Sequence, residues 1–143
     1  MLNPVAEIPE AQRSVDQVLN QWKAKPRTGF LRKRGEVFQN WKRRYFLLED
    51  GVLSYKPDEK ESTPVIKSAG VLEVITWGGR DHGLCIRLDN KRDLYVEAES
   101  ERKRDGWYDA LEAHAKLNQL RRMKEDEERR RNRRGSEDSE EED

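Results

Sequence analysis

Between Thr28 and Ala98 hydrophobic residues recur at every second position in short runs, and at Ser100 the period changes to 3.6. A period of two is that of a β-strand with one face to bury; a period of 3.6 is that of a helix with one buried stripe. Strands of this length hide their apolar faces only against one another or against a helix, so the pattern requires an antiparallel sheet closed by one helix. The strands fall at Thr28–Arg34, Trp41–Glu49 and Val52–Tyr55, the last two joined by a tight Asp50-Gly51 turn. A polar, proline-bounded loop follows over Pro57–Pro64. Val65–Ile75 is β-rich but interrupted by Ser68-Ala69-Gly70, which predicts a bulged strand or two short ones. After the Trp77–Gly83 loop, Leu84, Ile86 and Leu88 alternate with Cys85 and Arg87, and Leu94–Ala98 forms the last strand. Ser100 caps the helix, whose buried face is Trp107, Leu111, His114 and Ala115.

The flanks differ from this region. Ile8, Ala11, Val15, Val18, Leu19 and Trp22 have the spacing of a one-sided helix, with Pro9 in its first turn and Pro26 ending it. That helix either packs on the following domain or docks to a membrane or protein partner. Beyond Leu117 the apolar stripe thins to Leu120 and Met123, and charged residues from Lys124 prolong the helix through i,i+4 pairs until Gly135. Ser136–Asp143 holds six acids and two serines, too little apolar surface to fold. The expected organisation is therefore an amphipathic helix and linker (1–27), a folded domain (28–117), a charged helical extension (118–134) and a disordered acidic tail (135–143).

The chain has no apolar run long enough to span a bilayer, no secretory leader and no myristoylation glycine after Met1. Cys85 is its single cysteine and has no internal disulfide partner. The expected location is the cytosol, with reversible attachment to membrane.

The first two strands each carry three cations. If they pair as a hairpin, Leu31 and Lys33 share a face with Lys42, Arg44, Phe46 and Leu48. The apolar members belong to a core, which leaves Lys33, Lys42 and Arg44 around the mouth of the Gly35–Asn40 loop. Thr28–Glu49 contains six basic and two acidic residues, a local charge of +4, whereas the whole chain has 29 Lys+Arg against 29 Asp+Glu. Such a local field steers a compact anion. Arg32, Arg34 and Arg43 point the other way and are expected to be solvated or peripheral.

Gly29-Phe30-Leu31, the run Asn40-Trp41-Lys42-Arg43-Arg44-Tyr45-Phe46-Leu47-Leu48, the Asp50–Tyr55 hairpin and Trp107 in the helix together resemble the pleckstrin homology (PH) family over about Thr28 to Leu117. The resemblance implies a mainly β, PH-like barrel of two near-orthogonal antiparallel sheets, about seven strands, capped by the C-terminal helix. Phosphoinositide-binding members resemble one another in a lysine late in strand one, a small residue two later, and a Lys/Arg-x-Arg followed by two hydrophobics in strand two. Lys33, Gly35, Lys42, Arg44, Tyr45 and Phe46 fill those places. The resemblance further implies that Tyr55 hydrogen-bonds a headgroup phosphate and that Lys67 supplies another cation. Its functional implication is a non-catalytic targeting module or adaptor that binds phosphoinositide headgroups, with a preference for 3-phosphorylated ones.

Val37 and Phe38, exposed on a basic loop tip, suit contact with the membrane interface. The competing class is a protein-interaction module that uses the flanking helices. A nucleic-acid role for Arg129–Arg134 is disfavoured by the adjacent acids and the lack of interleaved aromatics. His82 and His114 lie in different elements without further ligands at metal spacing, and no phosphate loop or nucleophile triad is present. Neither an enzyme nor a cofactor or metal protein is expected. Trp41 and Trp107 are read as core, Trp77 as a lid over the sheet or a membrane contact, His114 as a core-edge residue, and Cys85 as outward-facing. Ser136 and Ser139, each followed by acids, resemble acidophilic-kinase targets, and the tail is a candidate competitor for the basic mouth.

Overall fold

The computed structural model describes residues 14–141, with side chains described up to residue 135. Ile8, Pro9 and Ala11, and the side chains of Ser136 and Ser139, lie outside the described residues. The elements are α1 (Val15–Gln21), β1 (Arg27–Arg34), β2 (Trp41–Glu49), β3 (Val52–Lys56), β4 (Lys67–Trp77), β5 (Gly83–Leu88), β6 (Asp93–Glu97) and α2 (Glu101–Glu141). They form two units, one comprising Lys23–Asn118 and the other joining α1 to α2 from Gln119 onward.

In the first unit the six strands close into an antiparallel barrel in sequence order, with β6 returning to β1. The inward residues of each strand, among them Leu31, Phe46, Leu48, Leu53, Val71, Leu84, Ile86 and Val96, form one buried cluster with Trp107 and Leu111 of α2. Of the two readings for this segment, one bulged strand is the one observed, which makes six strands among the described residues: Ser68-Ala69-Gly70 does not interrupt β4. Gly70 stays paired with Val52, and its N–H donates to the Asp89 carboxylate at 3.0 Å. A Cβ at Gly70 would lie 2.4 Å from Asp89 Oδ2, so the glycine marks a close approach rather than a break. The bend falls one step later, in a bulge between Val71 and Glu73.

The Asp50-Gly51 turn has φ of 52° and 82°, as a two-residue hairpin turn of the favoured twist requires. It is also bolted to α2. Gly51 N–H donates to His114 Nδ1 at 2.9 Å, and Asn118 Nδ2 donates to the carbonyls of Gly51 and Val71 at 2.8 and 2.9 Å. His114 Nε2 lies 2.9 Å from the Lys25 carbonyl. Since Nδ1 accepts, Nε2 carries the proton and donates. His114 is thus a fully buried junction between turn, helix and linker, not a core-edge residue. A Cβ at Gly51 would meet Asn118 Oδ1 at 2.3 Å. Gly51→Ala is expected to destabilise the domain by about 2 kcal/mol or more, from left-handed strain and displacement of Asn118, measured as a lower denaturant midpoint.

In the second unit α1 opens with a capping box: Ser14 Oγ accepts from Gln17 N–H at 3.2 Å, and Gln17 Oε1 accepts from Ser14 N–H at 2.9 Å. Val15, Val18 and Leu19 are half-buried, and Asp16 pairs with Lys124 of α2 at 3.2 Å. Along α2, Arg129 reaches Glu125 at 3.7 Å and Asp126 at 3.6 Å, the i,i+4 and i,i+3 pairs expected. The helix passes through Gly135 to Glu141, where a break at Gly135 was expected. One helical glycine costs only about 1 kcal/mol relative to alanine, so it need not end a helix already propagating.

Candidate functional site

The β1–β2 register sets Lys33 opposite Lys42 and Leu31 opposite Arg44, so the three cations share the face of the core residues, as expected. Phe46 pairs with Tyr55, and Tyr55 with Lys67, which brings β3 and β4 to the same open rim. Lys33 Nζ lies 4.9 Å from the centre of the Tyr55 ring, a cation–π contact. Burial pushes the Lys33 ammonium below its ordinary pKa; Glu36 opposes this, while Arg44, Lys67 and Lys42 add to it. The Lys33 charge is thus partly desolvated among three like charges, an arrangement that a bound anion relieves. Burial, then the Glu36 charge, raises the Tyr55 phenol, and Arg92 and Arg44 oppose the rise.

The Gly35–Asn40 loop shapes the mouth. Its neck is closed by Gly35 N–H donating to the Asn40 carbonyl at 2.6 Å, and a Cβ at Gly35 would meet Asn40 Oδ1 at 2.5 Å. The requirement for a small residue here is therefore steric. Val37 and Phe38 at the tip are 81% and 85% exposed.

Two members of the rim were not anticipated. Arg92 arrives from the β5–β6 turn, and Glu36 from the loop itself. Glu36 Oε1 accepts from Arg92 Nη1 at 2.5 Å and lies 3.6 Å from Lys67 Nζ. The clean placement of Lys67 beside Tyr55 follows from the uninterrupted β4. Among the described residues, Lys33, Lys42 and Arg44 have no carboxylate partner within ion-pair distance; Arg44 Nη1 donates to the Arg43 carbonyl at 3.0 Å. The rim therefore has an unneutralised part, Lys33-Lys42-Arg44, and a part held by Glu36, Lys67-Arg92. Sequence spacing hides the second, because Arg92 lies 56 residues from Glu36 and meets it only when β6 closes on β1.

The outward cations have other partners. Arg34 lies 4.1 Å from the Tyr95 ring centre and 5.5 Å from that of Trp77, Arg43 lies 3.6 Å from that of Phe30, and Arg32 is exposed. Trp41 is half-buried on this outer wall, stacked on Trp77 at 6.1 Å with Arg80 over its ring, and does not belong to the core. Trp77 acts as the lid, packed on Tyr95 at 4.8 Å. Cys85 faces outward as expected, but it is buried, and burial raises its thiol pKa. Among the described residues no group of three or more His, Cys, Asp or Glu could hold a metal ion, and no helix is long and apolar enough to cross a membrane.

The sequence profile of the PH domain family matches residues 26–116. A RAC family serine/threonine-protein kinase homolog of Dictyostelium discoideum is 32% identical over 91 residues, 58% of this chain and 19% of the relative. The serine/threonine-protein kinase pakC of the same organism is 40% identical over 52 residues, 36% of this chain and 11% of the relative. The chain thus spans about a fifth or less of these kinases. Among solved structures, the C-terminal PH domain of pleckstrin in complex with D-myo-Ins(1,2,3,5,6)P5 superimposes with a TM-score of 0.57 at 20% identity, covering 62% of this chain and 93% of that one. The PH domain of human oxysterol binding protein-related protein 11 gives a TM-score of 0.56 at 18% identity, covering 65% and 82%. With the matched region running from β1 into the helix that plugs the barrel, the chain belongs to the PH domain family.

Proposed function

We propose that the domain is a non-catalytic targeting module that binds a phosphoinositide headgroup at the open rim and thereby attaches reversibly to the cytosolic face of a membrane. The observation that carries this reading is the unneutralised Lys33-Lys42-Arg44 cluster above Tyr55. Arg44 offers a planar fork, Lys33 and Lys42 clamp neighbouring phosphates, and Lys67 with Arg92 forms a second subsite. Val37 and Phe38 enter the interface beside the headgroup, where each nearby cation adds about 1 kcal/mol against anionic lipid. The inositol pentakisphosphate complex of the pleckstrin PH domain supports this class of ligand. A preference for 3-phosphorylated headgroups belongs to the same reading, resting on the filled basic pattern and on Tyr55.

Flotation of the full chain with phosphatidylcholine vesicles, with and without a few per cent of each phosphoinositide, tests the proposal. Binding is expected only with phosphoinositide present, most strongly with the 3-phosphorylated species. Equal recovery with uncharged vesicles, or none with any, would overturn it and favour a protein partner.

Glu36 occupies one subsite with the chain's own carboxylate, so a headgroup phosphate entering there must displace it. Glu36→Gln keeps the shape and removes the charge. Vesicle affinity is expected to rise about five- to tenfold in the same flotation measurement, in line with the modest worth of exposed ion pairs plus one less repulsive charge.

A further inference from the structure

A second concentration of cations lies on the outer wall of the barrel, away from the rim. A cleft of about 320 Å³ opens there between the start of β1, Arg43 of β2, Glu99, and Lys103 and Trp107 of α2. Two guanidinium groups are set in its walls by aromatic rings: Arg27 lies 5.2 Å from the ring centre of Trp107, and Arg43 lies 3.6 Å from that of Phe30. Gly106 makes room for the first, since a Cβ there would stand 2.6 Å from Arg27 Nη1. Arg27 Nε is buried and has no hydrogen-bond acceptor among the described residues. Lys103 is the third cation. The carboxylate lining the cleft is that of Glu99, 2.7 Å from Lys103 Nζ and 3.8 Å from Arg43 Nη2. The hydrogen bond and charge of Lys103, with a smaller contribution from Arg43, hold Glu99 below the usual carboxyl range. Three cations against one carboxylate leave an excess of two positive charges.

We propose that this cleft is a second anion site, taking the phosphate of a phosphorylated serine or threonine on a partner protein. A phosphomonoester carries about −1.5 to −2 charge near neutrality and presents three acceptor oxygens, which matches the excess charge and the two arginine forks. The source follows from position. Arg27 precedes Gly35 by eight residues and Arg32, the register partner of Arg43, precedes it by three; at about 3.3 Å per residue the cleft runs from roughly 10 Å to roughly 26 Å along β1 from the neck of the loop. A headgroup in a membrane touched by Val37 and Phe38 does not reach the Arg27 end, where the buried guanidinium Nε without an acceptor among the described residues lies, whereas a protein in solution does. Arg43 also points away from Lys42 and Arg44, so the two sites share no cation and can be filled together. The choice of a protein source rests on the rim reading above; the anion site itself does not. The domain would then report the coincidence of a lipid at its loop end and a phosphorylated partner on its wall.

The test is amide NMR of the full chain titrated with N-acetyl-phosphoserine-N-methylamide, its unphosphorylated counterpart, and inositol hexakisphosphate. Phosphoserine is expected to shift the amides of Thr28, Gly29, Phe30, Arg43 and Lys103 saturably, with the unphosphorylated probe silent. The same shifts should persist in a Lys33→Ala, Arg44→Ala chain. They should weaken at least tenfold with Arg43→Gln plus Lys103→Gln and tighten about threefold with Glu99→Gln. The remaining amides of each spectrum report whether the fold is intact, and the tightening variant gives an independent readout if the double variant is perturbed. Absence of these shifts, or shifts confined to Lys33, Lys42 and Tyr55, would overturn the proposal. Saturation of the cleft by inositol hexakisphosphate more tightly than by phosphoserine in the Lys33→Ala, Arg44→Ala chain would overturn the protein source. Loss of vesicle binding with the cleft shifts retained, or the reverse, separates failure of one site from failure of the other.

Discussion

Replacing Lys33 and Arg44 together by alanine is expected to lower affinity for phosphoinositide vesicles by about 100-fold or more, with the fold intact. Each cation supplies charge-assisted hydrogen bonds to phosphate worth about 1.5–3 kcal/mol apiece, and both stand at the unneutralised part of the rim. Neither has a carboxylate partner among the described residues, so their removal strands no buried acid. Loss of Lys33 also relieves a partly desolvated ammonium crowded by Arg44, Lys67 and Lys42, so stability should hold or rise slightly. Thermal melts alongside flotation separate the two effects: binding lost and melting unchanged is the expected pair. As a control, Arg32→Ala, exposed on the opposite face, should alter binding only through the general field and by a few-fold at low salt.

The largest effect on stability is expected from Trp107→Ala. Trp107 is 2% exposed, meets Phe46 edge-on at a centroid distance of 6.5 Å, and carries the Arg27 guanidinium over its ring at 5.2 Å. Gly29 lies beneath it, where even a Cβ would come to 3.5 Å of the indole. Removing an enclosed indole costs about 3–5 kcal/mol, a large share of the roughly 5–15 kcal/mol that holds a domain together. Calorimetric melting is expected to shift down by about 15 °C or more, or to lose its cooperative transition. Trp41→Ala and Trp77→Ala remove half-exposed rings on the outer wall and should cost far less.

That difference among the tryptophans shows where the sequence was legible. Trp107 lies on a helix whose period places it with Leu111 and His114, and a period of 3.6 has one reading when a barrel needs a plug. Trp41 begins a strand that reads as core by its aromatic, yet its parity places it beside Arg43, facing out, where Trp77 covers it. Cys85 shows the same ambiguity, since an outward face can still be buried by a lid that alternation does not reveal. The ends of β1, β2 and β3 and the Asp50-Gly51 turn were readable because local backbone demands dictate them, whereas β4 runs two residues later than expected at each end and takes in Trp77. The facing of Lys33, Lys42 and Arg44 was readable for the same reason, since hairpin pairing is local. Glu36 and Arg92 were not, because their meeting depends on closure of β6 onto β1, a long-range event without a periodic trace. The choice between a bulged β4 and two short strands was not legible at Gly70, where the reason for a glycine is an Asp89 side chain nineteen residues away. Gly135 misled in the opposite sense, being read as a stop where the helix continues.

Calorimetric titration of the full chain with soluble inositol 1,3,4,5-tetrakisphosphate, at two salt concentrations, bears most directly on the rim. A tight exothermic site that weakens as salt rises, and that is lost in the Lys33→Ala, Arg44→Ala chain to leave only the weaker binding of the outer cleft, is the predicted result. No heat of binding, or binding that survives that double replacement unchanged, would contradict it.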